Sequence, residues 1–248
     1  AIDLSSTQAL QIASLVSRLP KVEEAYKIAL EGNFNDETST SSQAGRELLR
    51  SALAPMAVSF QSIIGEKPQI HYHLPPARSF VRLWRDKQTR RDGNWVDISD
   101  DLTSFRPTVV EVNRTGKPLR GVEVGSGGLE VRGVVPVMDS NNKQIGSVEA
   151  LVSFNPVLEG LSKGKGQAAL LYMNSEHLKI ATSLQDKTKN PLVEDTYVLV
   201  KGTGDKSIEN LVSKKLLDSG RNGISWETKG SKLLAAMPVE DYRKQQIG

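Results

Sequence analysis

Cysteine is absent from the 248 residues of this sequence, which excludes structural disulfides and any chemistry that needs a thiolate. Long apolar runs are absent as well: no stretch of 18 or more apolar residues occurs, so no segment of the sequence is expected to span a bilayer. Excess charge of one sign is small, because 32 basic residues accompany 29 acidic ones and leave a net charge of +3. Proteins that bind nucleic acid usually concentrate their basic residues, so we predict no nucleic-acid partner.

Signatures of catalysis are also missing. The sequence has no G-x-S-x-G elbow that would expose a nucleophilic serine, and the lack of cysteine removes another common nucleophile. The neighbouring carboxylates Asp100 and Asp101 are better explained as the negative start of a helix. We therefore predict that the protein is not an enzyme and that it needs no cofactor.

An eleven-residue motif is present twice, as PVMDSNNKQIG at 136–146 and as PVEDYRKQQIG at 238–248. Six of the eleven positions are identical, and the copies start 102 residues apart. The first copy reads as a strand end, a tight turn and the start of a returning strand, in which the final Gly allows close backbone approach. The repeat predicts two related α+β modules, each ending in a hairpin with the same turn.

The first copy of the motif is followed by a strand, SVEALVSF, whereas no sequence follows the second copy. The chain starts at Ala1 without an initiating Met or a signal peptide. We therefore expect an excised part of a longer protein, cut before the last strand of its second module.

Helical periodicity dominates the first third of the chain. Apolar residues at a spacing near 3.6 predict a helix over 2–31 that Pro20 interrupts and Gly32 ends. The polar segment 35–42 offers N-caps for a second helix, with Pro55 as its weak point. One face of that helix carries the apolar residues Leu49, Leu53, Met56, Phe60 and Ile63.

Alternation with period two begins at residue 69 and predicts strands. In the first module the strands are expected at 69–74, 78–84, 119–124, 129–137 and 145–154, with a short helix at 101–114 and a short helix or turn at 155–162. In the second module we expect strands at 168–173, 178–183, 197–201, 224–228 and 233–239, with a helix over 208–218.

Several stretches resemble a known family: HYHLPPARSFVRLW at 71–84, DDLTSFRPTVVEVNRTGKP at 100–118, and GVEVGSGGLEVRGVVPVMDSNNKQIGSVE at 121–149. They are similar to the extracytoplasmic double Cache sensing domain of bacterial methyl-accepting chemotaxis receptors and sensor kinases. SRLPKVEEAYKIALEGN at 17–33 resembles the helix after the first membrane span of such receptors, and LLYMNSEHLKIATSLQ at 170–185 resembles the first hairpin of a second Cache module.

The resemblance implies an α+β fold with a long N-terminal helix and two PAS-like (Cache) modules of antiparallel sheet. On this basis 1–61 is the helical region, 62–160 the membrane-distal module and 161–248 the membrane-proximal module. The implied function is that of a periplasmic ligand-binding domain, which passes a conformational signal from a small molecule to a transmembrane chemoreceptor. The implied partners are the membrane, through flanking helices, and a second copy of the chain in a homodimer.

Residue chemistry suggests a carboxylate or an amino acid-like molecule as the ligand, because Arg matches a carboxylate with two parallel hydrogen bonds. Arg78, Arg82 and Trp84 share strand parity and should point to one face. If the ligand also carries an ammonium group, a Glu carboxylate would pair with it. The candidate ligand-binding residues are Arg78, Arg82, Trp84, Arg132, Glu149, His73, Tyr72, Phe105 and Glu123. The charged insertion 86–98 departs from the family pattern and is expected to border the pocket.

Other interpretations of these residues stay open at this point. Arg132 and Glu149 lie in apolar strands and could simply pair with each other. Arg78 and Arg82 could form a solvated edge over Trp84. His71 and His73 could belong to an HxH metal-dependent hydrolase, although we predict no metal. A protein-interaction module without a small ligand is the remaining alternative.

Overall fold

The computed structural model of the protein describes residues 1–164 and 166–248. The α-helices of this part of the chain are α1 (Ile2–Val16), α2 (Val22–Glu31), α3 (Thr40–Ile64), α4 (Pro107–Thr115), α5 (Asn155–Leu161) and α6 (Lys214–Ser219). The strands are β1 (Ile70–Leu74), β2 (Arg78–Arg82), β3 (Thr89–Arg91), β4 (Asn94–Val96), β5 (Leu119–Gly125), β6 (Gly128–Met138), β7 (Gln144–Val152), β8 (Ala169–Asn174), β9 (Leu192–Val193), β10 (Tyr197–Thr203), β11 (Ser225–Lys229) and β12 (Lys232–Ala236). Short 3₁₀ helices span Ser175–Lys179, Thr182–Leu184 and Lys206–Leu211.

The chain divides into two compact units. Unit A comprises 3–120 and 132–152, and unit B comprises 1–2, 121–131 and 153–248. The largest sheet has the strand order β2-β1-β7-β6-β5, and a three-stranded sheet has the order β8-β10-β9. The α+β fold with N-terminal helices and antiparallel sheet is therefore confirmed, while the predicted boundaries at 61 and 160 stay a prediction.

The N-terminal helices follow the sequence signals closely. The predicted helix 2–31 is interrupted around Pro20, so that it forms α1 and α2, and Gly32 ends α2. Ser39 caps α3 by accepting a hydrogen bond from the Ser42 amide. Pro55 does not end α3, which runs to Ile64. None of the described helices is both long and apolar enough to cross a membrane.

One face of the large sheet packs against the helices of unit A. Tyr26 of α2 and Leu49 of α3 lie in one core cluster with Tyr72 of β1, Phe80 of β2 and Val148 of β7. The predicted apolar face of α3 is only partly used, because Leu49 and Leu53 are buried whereas Ile63 is exposed. Tyr26 also bonds this layer to the sheet: its hydroxyl donates to the carbonyls of His73, at 3.0 Å, and Ser147, at 2.9 Å.

The ladder between β1 and β2 contains a register shift that changes which side chains share a face. Arg82 lies opposite His71, but Arg78 lies opposite Leu74. The prediction that Arg78 and Arg82 point to one face is therefore wrong, because the irregularity adds a residue between them and breaks the period of two.

Unit B departs from the prediction in two places. The predicted strand at 178–183 is wrong, because this segment lies largely in the two 3₁₀ helices Ser175–Lys179 and Thr182–Leu184. The predicted helix 208–218 is divided into a 3₁₀ helix and α6, which Ser213 caps by accepting from the Leu216 amide. The strands β8, β10, β11 and β12 form where alternation predicted strands.

The repeated motif forms the same turn in each unit. Asp139 donates its amide to the Lys143 carbonyl at 2.9 Å, and Asp241 donates to the Gln245 carbonyl at 2.8 Å. In both turns the Asp carboxylate accepts from the amides two and four residues later. Asn142 and Lys244 occupy the left-handed position, with φ of 59° and 66°. The sequence repeat is thus a structural repeat, as predicted.

The glycine at the end of each motif copy allows a close backbone approach. A Cβ on Gly146 would lie 2.3 Å from the Tyr26 ring and 2.5 Å from the His73 carbonyl oxygen. A Cβ on Gly248 would lie 2.3 Å from the Tyr172 carbonyl oxygen. Both positions therefore require a residue without a side chain.

Candidate functional site

Buried polar side chains cover the face of the large sheet that points away from the helices. Because side chains alternate along a strand, the burial of Tyr72 and Val148 among the helices directs their neighbours to the other face. His71 and His73 of β1 and Glu149 of β7 lie on that face, and all three are buried. The imidazole rings of the two histidines contact each other edge to face, with centroids 4.1 Å apart. Their spacing of two residues places both rings on the same face of the strand.

Glu149 is the centre of this arrangement, and its side chain is completely buried. Arg106, which precedes the first residue of α4, donates to both carboxylate oxygens, at 3.0 Å and 2.6 Å. Arg132 of β6 donates to Oε2 at 2.9 Å. His71 Nδ1 lies 3.1 Å from Oε1, and His73 Nε2 lies 3.3 Å from the same atom without the alignment of a hydrogen bond. We call these five residues the Glu149 cluster.

Electrostatics fix the charge states in the cluster. Burial alone would raise the pKa of Glu149, but Arg106 and Arg132 outweigh burial and hold that pKa well below its usual range. Burial lowers the pKa of His71 and of His73, and the attraction of Glu149 only partly offsets it. At neutral pH the cluster therefore holds two guanidinium cations, one carboxylate and two neutral imidazoles.

A second buried ion pair lies beside the Glu149 cluster. Arg82 binds the Asp100 carboxylate with two hydrogen bonds, at 2.9 Å and 3.1 Å. Gln88, a residue of the charged insertion, is fully buried and accepts from the Arg82 amide at 2.8 Å. Ser79 joins this pair to His71, because its hydroxyl lies 2.9 Å from His71 Nε2 and 3.1 Å from Gln88 Oε1. The insertion therefore contributes to the polar face.

The polar face is rich in donors. Three buried arginines, Arg82, Arg106 and Arg132, pair there with the carboxylates of Asp100 and Glu149. The Nε2 amide of Gln88 is buried and has no hydrogen-bond partner among the described residues. A buried donor without an acceptor is costly. The arrangement is therefore suited to an anionic, oxygen-bearing molecule.

The geometry also brings together three groups of the kind that bind metals. One ligand atom each from His71, His73 and Glu149 lies within 4.8 Å of the others. However, Arg106 already donates to both oxygens of Glu149, and Arg132 donates to Oε2. A metal cation would have to lie next to two guanidinium groups in a medium of low dielectric, where repulsion is strong.

The remaining predicted residues lie outside this cluster. Tyr72 faces the helices, where its hydroxyl donates to the Val16 carbonyl at 2.8 Å. Trp84 follows β2, and its ring lies 6.0 Å from that of His71. Phe105 packs against the small apolar cluster around Leu102. Arg78 donates to the Ser99 carbonyl at 3.0 Å.

Glu123 is buried in β5 and belongs to unit B. Cavities lie elsewhere in the described part of the chain, two of them of several hundred Å³. One, of about 350 Å³, lies in unit A between the start of α3 and Asp97. The other, of about 460 Å³, lies in unit B beside Tyr172 and Lys229. Neither is lined by a residue of the Glu149 cluster.

Sequence reasoning missed several members of the polar face. Ser147 shares the parity of Glu149, so strand alternation alone could have identified it. Asp100 is predicted from the sequence only as the negative start of a helix, and its pairing with Arg82 is not predicted. Arg106 stands directly before Pro107, and no local pattern links it to Glu149, which is 43 residues away. Gln88 lies in a segment where period and polarity gave no signal.

Comparison with known proteins places these features in context. A family model described as the double sensory domain of two-component sensor kinases matches residues 1–248. No curated protein sequence matches this chain.

Among solved structures, the sensor domain of the Vibrio cholerae histidine kinase DctB is similar with a TM-score of 0.47 and 10% identity, over 99% of this chain and 84% of that one. The ligand-binding domain of the Campylobacter jejuni chemoreceptor Tlp3, solved with L-valine, is similar with a TM-score of 0.39 and 7% identity, over 94% of this chain and 83% of that one. The Escherichia coli DcuS sensor domain is similar with a TM-score of 0.37 and 13% identity, over 63% of this chain and 93% of that one.

Proposed function

Because this chain belongs to the double Cache family of sensory domains of two-component sensor kinases, we propose that it is the ligand-binding domain of a bacterial transmembrane receptor. In this proposal the domain lies outside the cytoplasm, and flanking helices connect it to the membrane. It binds a small molecule that bears a carboxylate and passes a conformational signal on, without catalysing a reaction.

One observation carries this proposal: the buried, donor-rich polar face of unit A. Buried charges are costly unless they are paired, and globular proteins rarely concentrate them without a functional reason. Here Arg106 and Arg132 meet at Glu149, and the Gln88 amide lacks an acceptor among the described residues. A ligand carboxylate supplies an acceptor oxygen of the kind that the Gln88 amide lacks.

The energies are adequate for a sensor. Hydrogen bonds to charged groups contribute roughly 1.5–3 kcal/mol each. Two or three of them, with a ring such as Trp84 as an apolar wall, support micromolar binding, which corresponds to about −8 kcal/mol. A sensor needs no tighter binding than that.

The signal is proposed to leave the site through α2. The Tyr26 hydroxyl holds the carbonyls of His73 and Ser147, while the side chains of these two residues meet on the opposite face of the sheet, 3.1 Å apart. A change in the polar face therefore acts on the backbone that Tyr26 contacts. A ligand shifts such an equilibrium only by its differential affinity for the two states.

A homodimer of the full-length receptor is part of the proposal. Leu4 and Leu15 of α1 are 65% and 75% exposed, so this helix has apolar side chains available for a second copy. Sedimentation of the receptor in detergent, compared with a variant in which both leucines are changed to Ser, tests it. A monomeric unmodified receptor would contradict it.

The experiment for the main proposal is a thermal-shift screen of carboxylates, amino acids, amines and purines. At a hundredfold excess over its dissociation constant, a ligand adds about 2.7 kcal/mol to the free energy of unfolding, which raises Tm by roughly 5–10 °C in a chain of this size. We expect a carboxylate to give this shift. A response to none of the panel would instead favour a protein-interaction module.

Two variants locate the binding site. Arg132→Ala should abolish the shift while leaving Glu149 paired with Arg106, so the fold is retained. Arg78→Ala is the matched control, because Arg78 donates to the Ser99 carbonyl and forms a β-bridge with Asp101, and neither residue belongs to the Glu149 cluster. Equal loss of binding in both variants would contradict a site in the Glu149 cluster.

The convergence of His71, His73 and Glu149 keeps one second candidate, a metal-dependent hydrolase. Metal analysis of the purified protein, before and after treatment with a chelator, separates the two. We expect less than stoichiometric metal because Arg106 and Arg132 oppose a cation at Glu149. Tightly held stoichiometric zinc would contradict the sensor proposal.

A further inference from the structure

The cavity of about 460 Å³ in unit B lies between β9 and the 3₁₀ helix Lys206–Leu211. Its volume falls in the range of about 300–1,000 Å³ that is usual for the binding sites of small molecules. Tyr172 of β8 lines it, together with Val193 and Val212, which pack against the apolar cluster that contains Tyr172. None of these residues belongs to the Glu149 cluster, so the cavity is a separate place for a ligand.

The repeated turn relates this cavity to the polar face of unit A. A Cβ on Gly146 would meet the His73 carbonyl oxygen, and a Cβ on Gly248 would meet the Tyr172 carbonyl oxygen. Tyr172 therefore holds in unit B the strand position that His73 holds in unit A. Because the His73 side chain points to the polar face of unit A, Tyr172 marks the corresponding face of unit B.

Tyr172 brings an unpartnered hydroxyl to the cavity. The residue is only 8% exposed, yet its hydroxyl has no hydrogen-bond partner among the described residues. A hydroxyl in this setting is satisfied by water or by a ligand atom in the cavity. Burial and the nearby charge of Glu209 raise the pKa of Tyr172 to about 12, so the hydroxyl is neutral and its oxygen can accept a hydrogen bond.

The charged groups around the cavity favour a cation. Glu209 lines it, and its carboxylate has neither an ion pair nor a hydrogen bond among the described residues. Glu194 is a further carboxylate at the exposed rim. Lys229 also lines the cavity, but its ammonium group donates to the Leu211 carbonyl at 2.8 Å and lies 3.3 Å from Glu227 Oε1. The charge available to a ligand is therefore negative.

We propose that this cavity of unit B is a second binding site, which takes a small organic ammonium ion with an alkyl part. The ammonium group donates to the Glu209 carboxylate and to the Tyr172 hydroxyl oxygen, and the alkyl part lies against Val193 and Val212. This site goes beyond the proposed function and does not rest on it, because none of its residues belongs to the polar face of unit A.

The test is a chemical-shift titration of the isotope-labelled protein with n-butylammonium chloride. We expect saturable shifts at the amides of Val193 and Val212, because the butyl chain lies beside them. n-Butanol has the same chain without the charge, and sodium butyrate reverses the charge, so both should shift these amides less. Sodium chloride at equal ionic strength controls for the effect of salt.

Two variants each remove one polar function and keep the shape of the side chain. Glu209→Gln should weaken n-butylammonium binding about tenfold or more, because the charge that strengthens the hydrogen bond is lost. Tyr172→Phe keeps the ring and should weaken it about threefold to tenfold. The matched control is Glu176→Gln, which should bind as the unmodified protein does, because Glu176 is 72% exposed and does not line the cavity. Should one of the two variants be unfolded, the other decides.

Equal shifts with n-butylammonium and n-butanol, larger shifts with butyrate, or an affinity that Glu209→Gln leaves unchanged would overturn this site. These outcomes are independent of the ligand screen for unit A. Binding of n-butylammonium without a carboxylate hit in that screen leaves the site in unit B standing and contradicts the one proposed for unit A. A carboxylate hit without n-butylammonium binding does the opposite.

Discussion

His71 and His73 are held neutral by burial, and this ties the stability of the protein to pH. Their folded-state pKa values lie below the unfolded value of about 6.5. Below pH 6.5 the unfolded chain therefore binds more protons than the folded one. Their stabilising contribution is complete above pH 6.5 and is lost as the pH falls toward the folded-state pKa.

We expect the free energy of unfolding to fall between pH 6.5 and pH 5 by up to about 1.4 kcal/mol per pH unit for each histidine. Urea denaturation at several pH values measures it. His71→Gln should reduce the slope, whereas His177→Gln, whose ring is only half-buried, should change it less. A free energy that is the same at pH 7.5 and pH 5 would contradict the neutral state of the pair.

Protonation of Glu149 also lowers the free energy of unfolding as the pH falls, but it does so at lower pH than protonation of the histidines. Its folded-state pKa lies well below the unfolded value of about 4.3, so its contribution is complete above that value and is lost as the pH falls further. The loss of stability therefore has two stages, with the histidines first and the carboxylate second.

At the scale of elements, Tyr26 connects α2 to two strands with one hydroxyl. Tyr26→Phe keeps the ring, which packs against Phe80 at 4.9 Å between centroids, and removes both hydrogen bonds. We expect a loss of about 1–2 kcal/mol in the free energy of unfolding, measured by urea denaturation. Ligand affinity should change little, while the effect of ligand on hydrogen exchange in α2 should decrease. An unchanged exchange response would exclude this route for the signal.

The close approach of α2 to the sheet depends on Gly146. Gly146→Ala forces a Cβ against the Tyr26 ring and the His73 carbonyl. We expect a loss of roughly 1–3 kcal/mol or more, as for other overpacked cores. The control is Gly160→Ala in α5, where a Cβ meets nothing within 4 Å and helix propensity favours Ala by about 1 kcal/mol. Equal stability of the two variants would refute the steric argument.

At the scale of the whole molecule, the two units use one turn design. Asp139→Ala and Asp241→Ala each remove two hydrogen bonds from backbone amides to a carboxylate. We expect similar losses, on the order of 1 kcal/mol each, in urea denaturation. Lys143→Ala, an exposed position in the first turn, should stay within about 0.5 kcal/mol of the unmodified protein. A loss in only one Asp variant would contradict equivalent roles.

The sequence by itself determined the local features of this protein. The breaks at Pro20 and Gly32, the repeated turn with its terminal Gly, and the common direction of His71 and His73 are all set within a few residues. Their causes are backbone sterics and the periods of helix and strand, which act locally. For this reason most elements could be predicted.

Only the tertiary structure decided the composition of the site. Arg106 reaches Glu149 from a helix start 43 residues earlier in the chain, and Gln88 enters from an insertion without a regular pattern. The register shift in β1 and β2 moved Arg78 away from Arg82, although their spacing indicated one face. Pairing between distant charges depends on how helices and loops cover the sheet, and no local period encodes that.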